Sequence, residues 1–343
     1  MLQSAQSSSS VNPKFPNPEK APVVISYRLE GKHLGKAAFY DAYTLANHTG
    51  FPVSFVHSED DSIKDKYLLD YIKTQTINIP HVTMNPASGR PEPATLDSYK
   101  KGGLLVIPGM TRESYEKTPP VHNIRMKFEK SIIDDALRRG RPILAICAGS
   151  WTLWEALGGT LVSVDGHNYG GGMPRINAKG TMTYNVHIHD VRVKKNSLLH
   201  TAMALGNSQQ ERLLPANSIH WMAPNSESLP SNFEVSATAR KSPSVLLKTR
   251  QKTVMTPDDN TVEAFSSLHG VPILGFVWHP EAFDFKKNSG AELSNSKALL
   301  FMAQAGSAYK AKQDMLNDYK AVAAKVELNE VDALEKVFLN MKL

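Results

Sequence analysis

Residues 141–149, Arg141-Pro142-Ile143-Leu144-Ala145-Ile146-Cys147-Ala148-Gly149, decide how this chain is read. The run Pro142–Ile146 is continuously apolar, as suits a strand buried on both faces of a parallel sheet. Before it, residues 125–139 carry Met126, Phe128, Ile132, Ile133, Ala136 and Leu137 near helical spacing, and Gly140 ends that helix. After it a second helix begins. A strand that turns sharply into a helix crowds the positions two before and two after the turning residue. Ala145 and Gly149 are small enough to sit there. Cys147 is thereby presented at the C-terminal edge of the sheet, where open α/β sheets bind ligands. It also caps a helix N-terminus, whose partial positive charge favours a thiolate. A lone cysteine is most often an inert core thiol, but this turn makes it a candidate nucleophile.

The same alternation extends outward. Strands are expected at 22–27, 52–56 and 103–107, with a helix at 36–48 closed by Gly50. The pattern predicts an α/β fold with a central, mostly parallel sheet flanked by helices. Further on, 184–193, 233–239, 245–254, 261–265 and 273–278 read as strands. Residues 292–305 read as a helix returning to the body. The Ala/Lys/Leu-rich stretch 307–343 reads as helical. The expected division is a disordered Ser/Pro tail over 1–20, one domain over 21–305 and a helical C-terminal extension over 306–343.

Composition narrows the function classes. The 343 residues are 41% apolar but contain no run long enough to span a bilayer, and the N-terminus lacks the apolar core of a signal peptide. The single cysteine precludes an internal disulfide, and a reducing, cytoplasmic setting is expected. The formal charge of +6 is spread over short clusters such as Arg138-Arg139, Lys194-Lys195 and Arg240-Lys241, with no nucleic-acid-binding signature. Neither nucleic acid nor membrane is an expected partner.

A second chemical signal is Val277-Trp278-His279-Pro280-Glu281, after an apolar run. On an extended segment positions i and i+2 point the same way, so His279 and Glu281 are expected to meet. A carboxylate on one ring nitrogen fixes the tautomer and leaves the other nitrogen as a base. A third signal is Ile107-Pro108-Gly109-Met110, a strand end and tight turn. Its backbone N–H groups, that of Met110 included, are candidates to join that of Ala148 in an oxyanion hole.

Two other clusters are weaker. His187 and His189 lie at i, i+2 on an expected strand, but no third metal ligand follows at a recognisable spacing. Residues 166–172 (GHNYGGG) lack phosphate-cradle spacing and read as a loop near the site. Neither a metal nor a cofactor is expected.

The run RPILAICAGSWTLWEALGGTL resembles the nucleophile segment of class I glutamine amidotransferase-like proteins. Within them it is most similar to the gamma-glutamyl hydrolase and gamma-glutamyl-GABA hydrolase group. GGLLVIPGM, LGGTL, HIHDV, NSIHWMAP, VEAF and GFVWHPE match in the right order, over roughly residues 20–305. The resemblance implies a flavodoxin-like α/β domain that hydrolyses gamma-glutamyl amides through a cysteine thioester. It assigns Cys147 as nucleophile, His279 as general base and acid, and Glu281 as the orienting carboxylate. It also implies a small gamma-glutamyl or amide substrate touched by Gly109, Trp151, Ser218 and His220. Alternatives of other classes are a glutaminase subunit feeding ammonia to a synthetase, and a catalytically silent binding protein. A homodimer is left open. The sequence departs from the group at Met110 in place of a second glycine, at Ala148 in place of arginine, and at Trp151 in place of a polar residue. Residues 241–260 have no counterpart and are expected to form an extra hairpin.

Overall fold

The computed structural model describes residues 19–26, 49–56, 101–110, 119–164, 187–206, 212–240, 260–283 and 290–323, with isolated positions between them, His167 included. The expected helix at 36–48 lies mostly outside these residues. So do the 241–260 hairpin with its 245–254 strand, and most of the 166–172 loop.

Ten strands form one sheet. In chain order they are β1 (Val23–Ser26), β2 (Val53–Val56), β3 (Pro93–Ala94), β4 (Leu105–Ile107), β5 (Ile143–Ile146), β6 (His187–Val193), β7 (Arg212–Ser218), β8 (Phe233–Arg240), β9 (Val262–Ser267) and β10 (Ile273–Phe276). Their order across the sheet is β7-β6-β8-β9-β10-β5-β4-β1-β2-β3. From β3 to β10 every neighbour is parallel. From β10 to β7 every neighbour is antiparallel. The sheet is thus mostly parallel, with the antiparallel strands gathered at one end.

Strand alternation divides the core into two layers. Leu144 and Ile146 of β5 face a cluster that includes Leu299 and Met302 of the C-terminal helix. Ile143 and Ala145 face the opposite cluster, with Ile132, Ile133 and Ala136. These last three belong to α1 (Pro119–Arg139), which ends at Gly140 with φ +62°. α2 (Ala148–Ala156) follows β5 directly, and α3 (Leu198–Ala202) is a short helix after β6.

The sequence pattern does not announce β7. Its sequence, RLLPANS, carries Pro215 mid-strand, which argues against a central strand. Pro215 is accommodated because, among the described residues, β7 is the edge strand and pairs only with β6, with Pro215 opposite Asp190.

α4 (Gly290–Ala323) runs unbroken through the expected boundary at 305/306. Gly103 and Gly306 meet so closely that a Cβ on Gly306 would lie 2.3 Å from Leu104 N. Ser307 is buried and accepts a hydrogen bond from Ala21 N at 2.9 Å. The helix therefore belongs to the body at least as far as Ser307.

Candidate active site

Cys147 stands between β5 and α2 with φ 50° and ψ −121°. A non-glycine residue in that region is strained, and such strain persists only where the surroundings enforce it. Cys147 N donates to Phe276 O of β10 (2.7 Å), and Cys147 O accepts from Ser150 N (2.9 Å) and Ser150 Oγ (2.6 Å). The small flanking residue is a steric requirement: a Cβ on Gly149 would lie 2.0 Å from Ile107 O. That contact presses the first turn of α2 onto the end of β4. The N–H of Ala148, in this first turn, has no acceptor within the helix, and a Cβ on Gly149 would also lie 2.8 Å from Pro108 O.

Met110 does not take a positive φ, so its replacement of glycine carries no left-handed strain. Gly109 is demanded for another reason. A Cβ there would lie 3.0 Å from His279 Cε1, 3.1 Å from Cys147 Cβ and 3.7 Å from Cys147 Sγ. The imidazole and the sulfur thus close over the same glycine.

His279 Nδ1 lies 2.6 Å from Glu281 Oε1, and both side chains are buried. The pair does not meet along an extended strand, as the i, i+2 spacing suggests. β10 ends at Phe276, and residues 279–282 form a turn in which Ala282 N donates to His279 O (3.1 Å). Burial pushes the His279 pKa down, but the Glu281 carboxylate and Cys147 outweigh it and hold the ring well above its ordinary value.

Asn217, at the end of β7, does not stand out in the sequence. Its Oδ1 accepts from His279 N (2.8 Å) and its Nδ2 donates to His279 O (2.8 Å). One carboxamide thus holds both backbone groups of His279. The available signal is the Asn-Ser pair before His220, but its target cannot be read without the sheet topology.

Trp151, also buried, lies in the same core layer as Cys147, Met110 and Trp278, whereas Trp154 lies in the other. Trp151 meets Trp221 edge to face, with centroids 5.1 Å apart and planes at 82°. Ser218 and His220, expected to touch substrate, are turned elsewhere. Ser218 Oγ donates to His167 O, and His220 is fully buried against Glu263.

That contact belongs to a second polar cluster of His167, His189, His220 and Glu263. Glu263 Oε1 lies 3.0 Å from His167 Nδ1, 3.2 Å from His189 Nε2 and 3.2 Å from His220 Nε2. Burial lowers the His220 pKa and prevails over the attraction of Glu263. For His189, burial is overcome by the Glu263 charge and hydrogen bond, and the pKa is raised. Burial works against the Glu263 carboxylate, yet His220 and His189 hold it well below its ordinary range. His187 shares β6 with His189, opposite Ser218.

The chain belongs to the peptidase C26 family, whose model matches residues 100–281, more than half of the sequence. The match contains Gly109 and Cys147 and runs through His279 to Glu281. Among solved structures, the chain is similar to the glutaminase domain of Trypanosoma brucei CTPS with bound acivicin (12% identity, 83% of this chain, 93% of that one, TM-score 0.48). It is also similar to a glutamine amidotransferase from Thermotoga maritima (13% identity, 86% and 98%, TM-score 0.41). A third is a glutamine amidotransferase from Methylobacillus flagellatus (12% identity, 85% and 94%, TM-score 0.41). No curated protein sequence matches the chain. The fold is a mostly parallel central sheet with flanking helices and a C-terminal helix. The protein is a cysteine-type hydrolase or amidotransferase. No helix among the described residues is long and apolar enough to cross a membrane.

Proposed function

We propose that this protein hydrolyses gamma-glutamyl-type amide bonds through a thioester on Cys147. The observation that carries the reading is the closure of Cys147 and His279 over Gly109, with Glu281 on the far ring nitrogen. Glu281 accepts a hydrogen bond from Nδ1–H, which leaves Nε2 to take the thiol proton. The sulfur attacks the amide carbonyl, and the developing oxyanion is met by the N–H groups of Met110 and Ala148. His279 then delivers this proton to the departing amine. Water, activated by the same imidazole, then releases the acid and frees the thiol.

Trp151 and Trp221 supply an aromatic wall in the layer that holds Cys147. An indole donates one hydrogen bond and accepts none, so it cannot replace a side chain that does both. The reading is therefore poor activity on free glutamine and better activity on bulkier gamma-glutamyl conjugates such as polyamine or aromatic amides.

A panel of gamma-glutamyl conjugates and free glutamine, assayed with wild type and Cys147→Ala in parallel, tests this. Cys147-dependent release of amine from the conjugates is expected, with a kcat/KM above that for glutamine. No turnover of any gamma-glutamyl amide, or preference for free glutamine, overturns it.

A further inference from the structure

We propose that His167, His189, His220 and Glu263 form a buried zinc(II) site that ties four parts of the fold together. Their four donor atoms lie within 4.8 Å of one another, and all four residues are buried. A tetrahedron with zinc–ligand bonds of about 2.0 Å has edges of about 3.3 Å. The edges from Glu263 Oε1 to the three imidazole nitrogens are 3.0, 3.2 and 3.2 Å. With no two donor atoms more than 4.8 Å apart, the histidine nitrogens have to draw together around an ion while the carboxylate oxygen steps back slightly.

The hydrogen bonding around the cluster points the same way. His189 Nδ1 lies 3.2 Å from Asp190 O, and His220 Nδ1 lies 3.2 Å from Met222 O. A carbonyl only accepts, so each Nδ1 carries the proton. In the neutral ring of His220 the lone pair is then on Nε2, which faces the carboxylate oxygen Glu263 Oε1 at 3.2 Å. Acceptor against acceptor is unfavourable in a buried site, whereas a cation between His220 Nε2 and Glu263 Oε1 satisfies both. Glu263 Oε2 has no hydrogen-bond partner in its fully buried position. A ring nitrogen bonded to a backbone carbonyl is also the usual way a metal-ligating histidine is oriented.

Three imidazoles and one carboxylate suit zinc, not calcium or magnesium, which favour oxygen ligands. Four protein ligands leave no open position, so the role is structural. The ligands come from the loop after the 161–163 strand, from β6, from the segment after β7 and from β9. Asn217 and Ser218 connect this knot to its neighbours: one holds His279, the other the His167 carbonyl. In the sequence His189 lacks a third ligand because its partners lie on other strands and loops.

The full chain, stripped with a chelator and dialysed against zinc(II), tests the site by metal analysis and thermal unfolding. Wild type and Cys147→Ala are expected to retain one equivalent and to gain in thermal midpoint. His189→Ala and Glu263→Gln are expected to bind at least about 100-fold more weakly and gain nothing. If those variants fail to fold, cobalt(II)-loaded wild type decides. Intense tetrahedral d–d bands without thiolate-to-cobalt charge transfer support the cluster. Wild type that retains no stoichiometric zinc, zinc lost in Cys147→Ala, zinc retained by folded His189→Ala and Glu263→Gln, or a thiolate band overturns the proposal.

Discussion

His279 Nδ1 lies 2.6 Å from Glu281 Oε1 although the two residues occupy a turn, not a strand. In this geometry the carboxylate favours the tautomer with the proton on Nδ1, the one that the proposed thiol-to-Nε2 proton transfer requires. Glu281→Gln keeps the shape but can hydrogen-bond the wrong tautomer. We expect kcat/KM on a gamma-glutamyl amide to fall by about 10²–10⁴-fold with the fold intact by circular dichroism. Activity within about threefold of wild type would show that Glu281 does not orient the base.

The raised pKa of His279 makes a pH-dependent contribution to stability. The folded protein binds this proton more tightly than the unfolded chain does. The stabilisation is therefore fully present below the unfolded value near 6.5 and is lost as pH rises through the folded value. The difference in thermal midpoint between wild type and His279→Gln should be larger near pH 6 than near pH 9. A difference that grows with pH would contradict the assignment.

Asn217 predicts a coupled loss. Its carboxamide makes two 2.8 Å hydrogen bonds to the His279 backbone inside the core. Asn217→Ala leaves the buried His279 N–H without an acceptor, at a cost of about 1–3 kcal/mol, while His279 O keeps its bond from Ala282 N. Denaturant unfolding should show that loss. Because His279 is no longer held, kcat should fall by more than KM rises. An active, destabilised variant would confine Asn217 to a folding role.

The two glycines at the elbow separate stability from catalysis. Gly149→Ala sets a Cβ 2.0 Å from the Ile107 carbonyl, a backbone atom that cannot yield cheaply. A destabilisation of about 3 kcal/mol is expected. Gly109→Ala meets His279 and Cys147 at 3.0 and 3.1 Å, side chains that can shift by a few tenths of an ångström. Its stability should change by less than that of Gly149→Ala, while kcat/KM falls by about 10²-fold through misplacement of the reacting pair. Equal effects on both properties for both variants would refute this division.

Sequence carried the parallel half of the sheet because its strands are continuous apolar runs stopped by glycine and proline, as in GLLVIPG and PILAIC. It carried the turn at Cys147 because a strand that bends sharply into a helix restricts the residues on either side. It did not carry β7, whose Pro215 is tolerable only at a sheet edge, and edge position is a property of topology. It placed Ser218 and His220 at the substrate by resemblance, while the fold turns both toward the His167–Glu263 cluster. No local pattern announces that cluster, since its members meet only after the antiparallel strands are ordered. Trp151 and Trp154, adjacent by helical spacing, are separable only because α2 contacts both core layers.

The central claim is a covalent acyl-enzyme on Cys147, and intact-mass spectrometry of acid-quenched turnover tests it most directly. Wild type mixed with a gamma-glutamyl anilide should gain the mass of the acyl group, located to the peptide containing Cys147 by digestion. Cys147→Ala should gain nothing and release no aniline. Steady turnover that persists in Cys147→Ala, or an adduct on any other residue, would contradict the account.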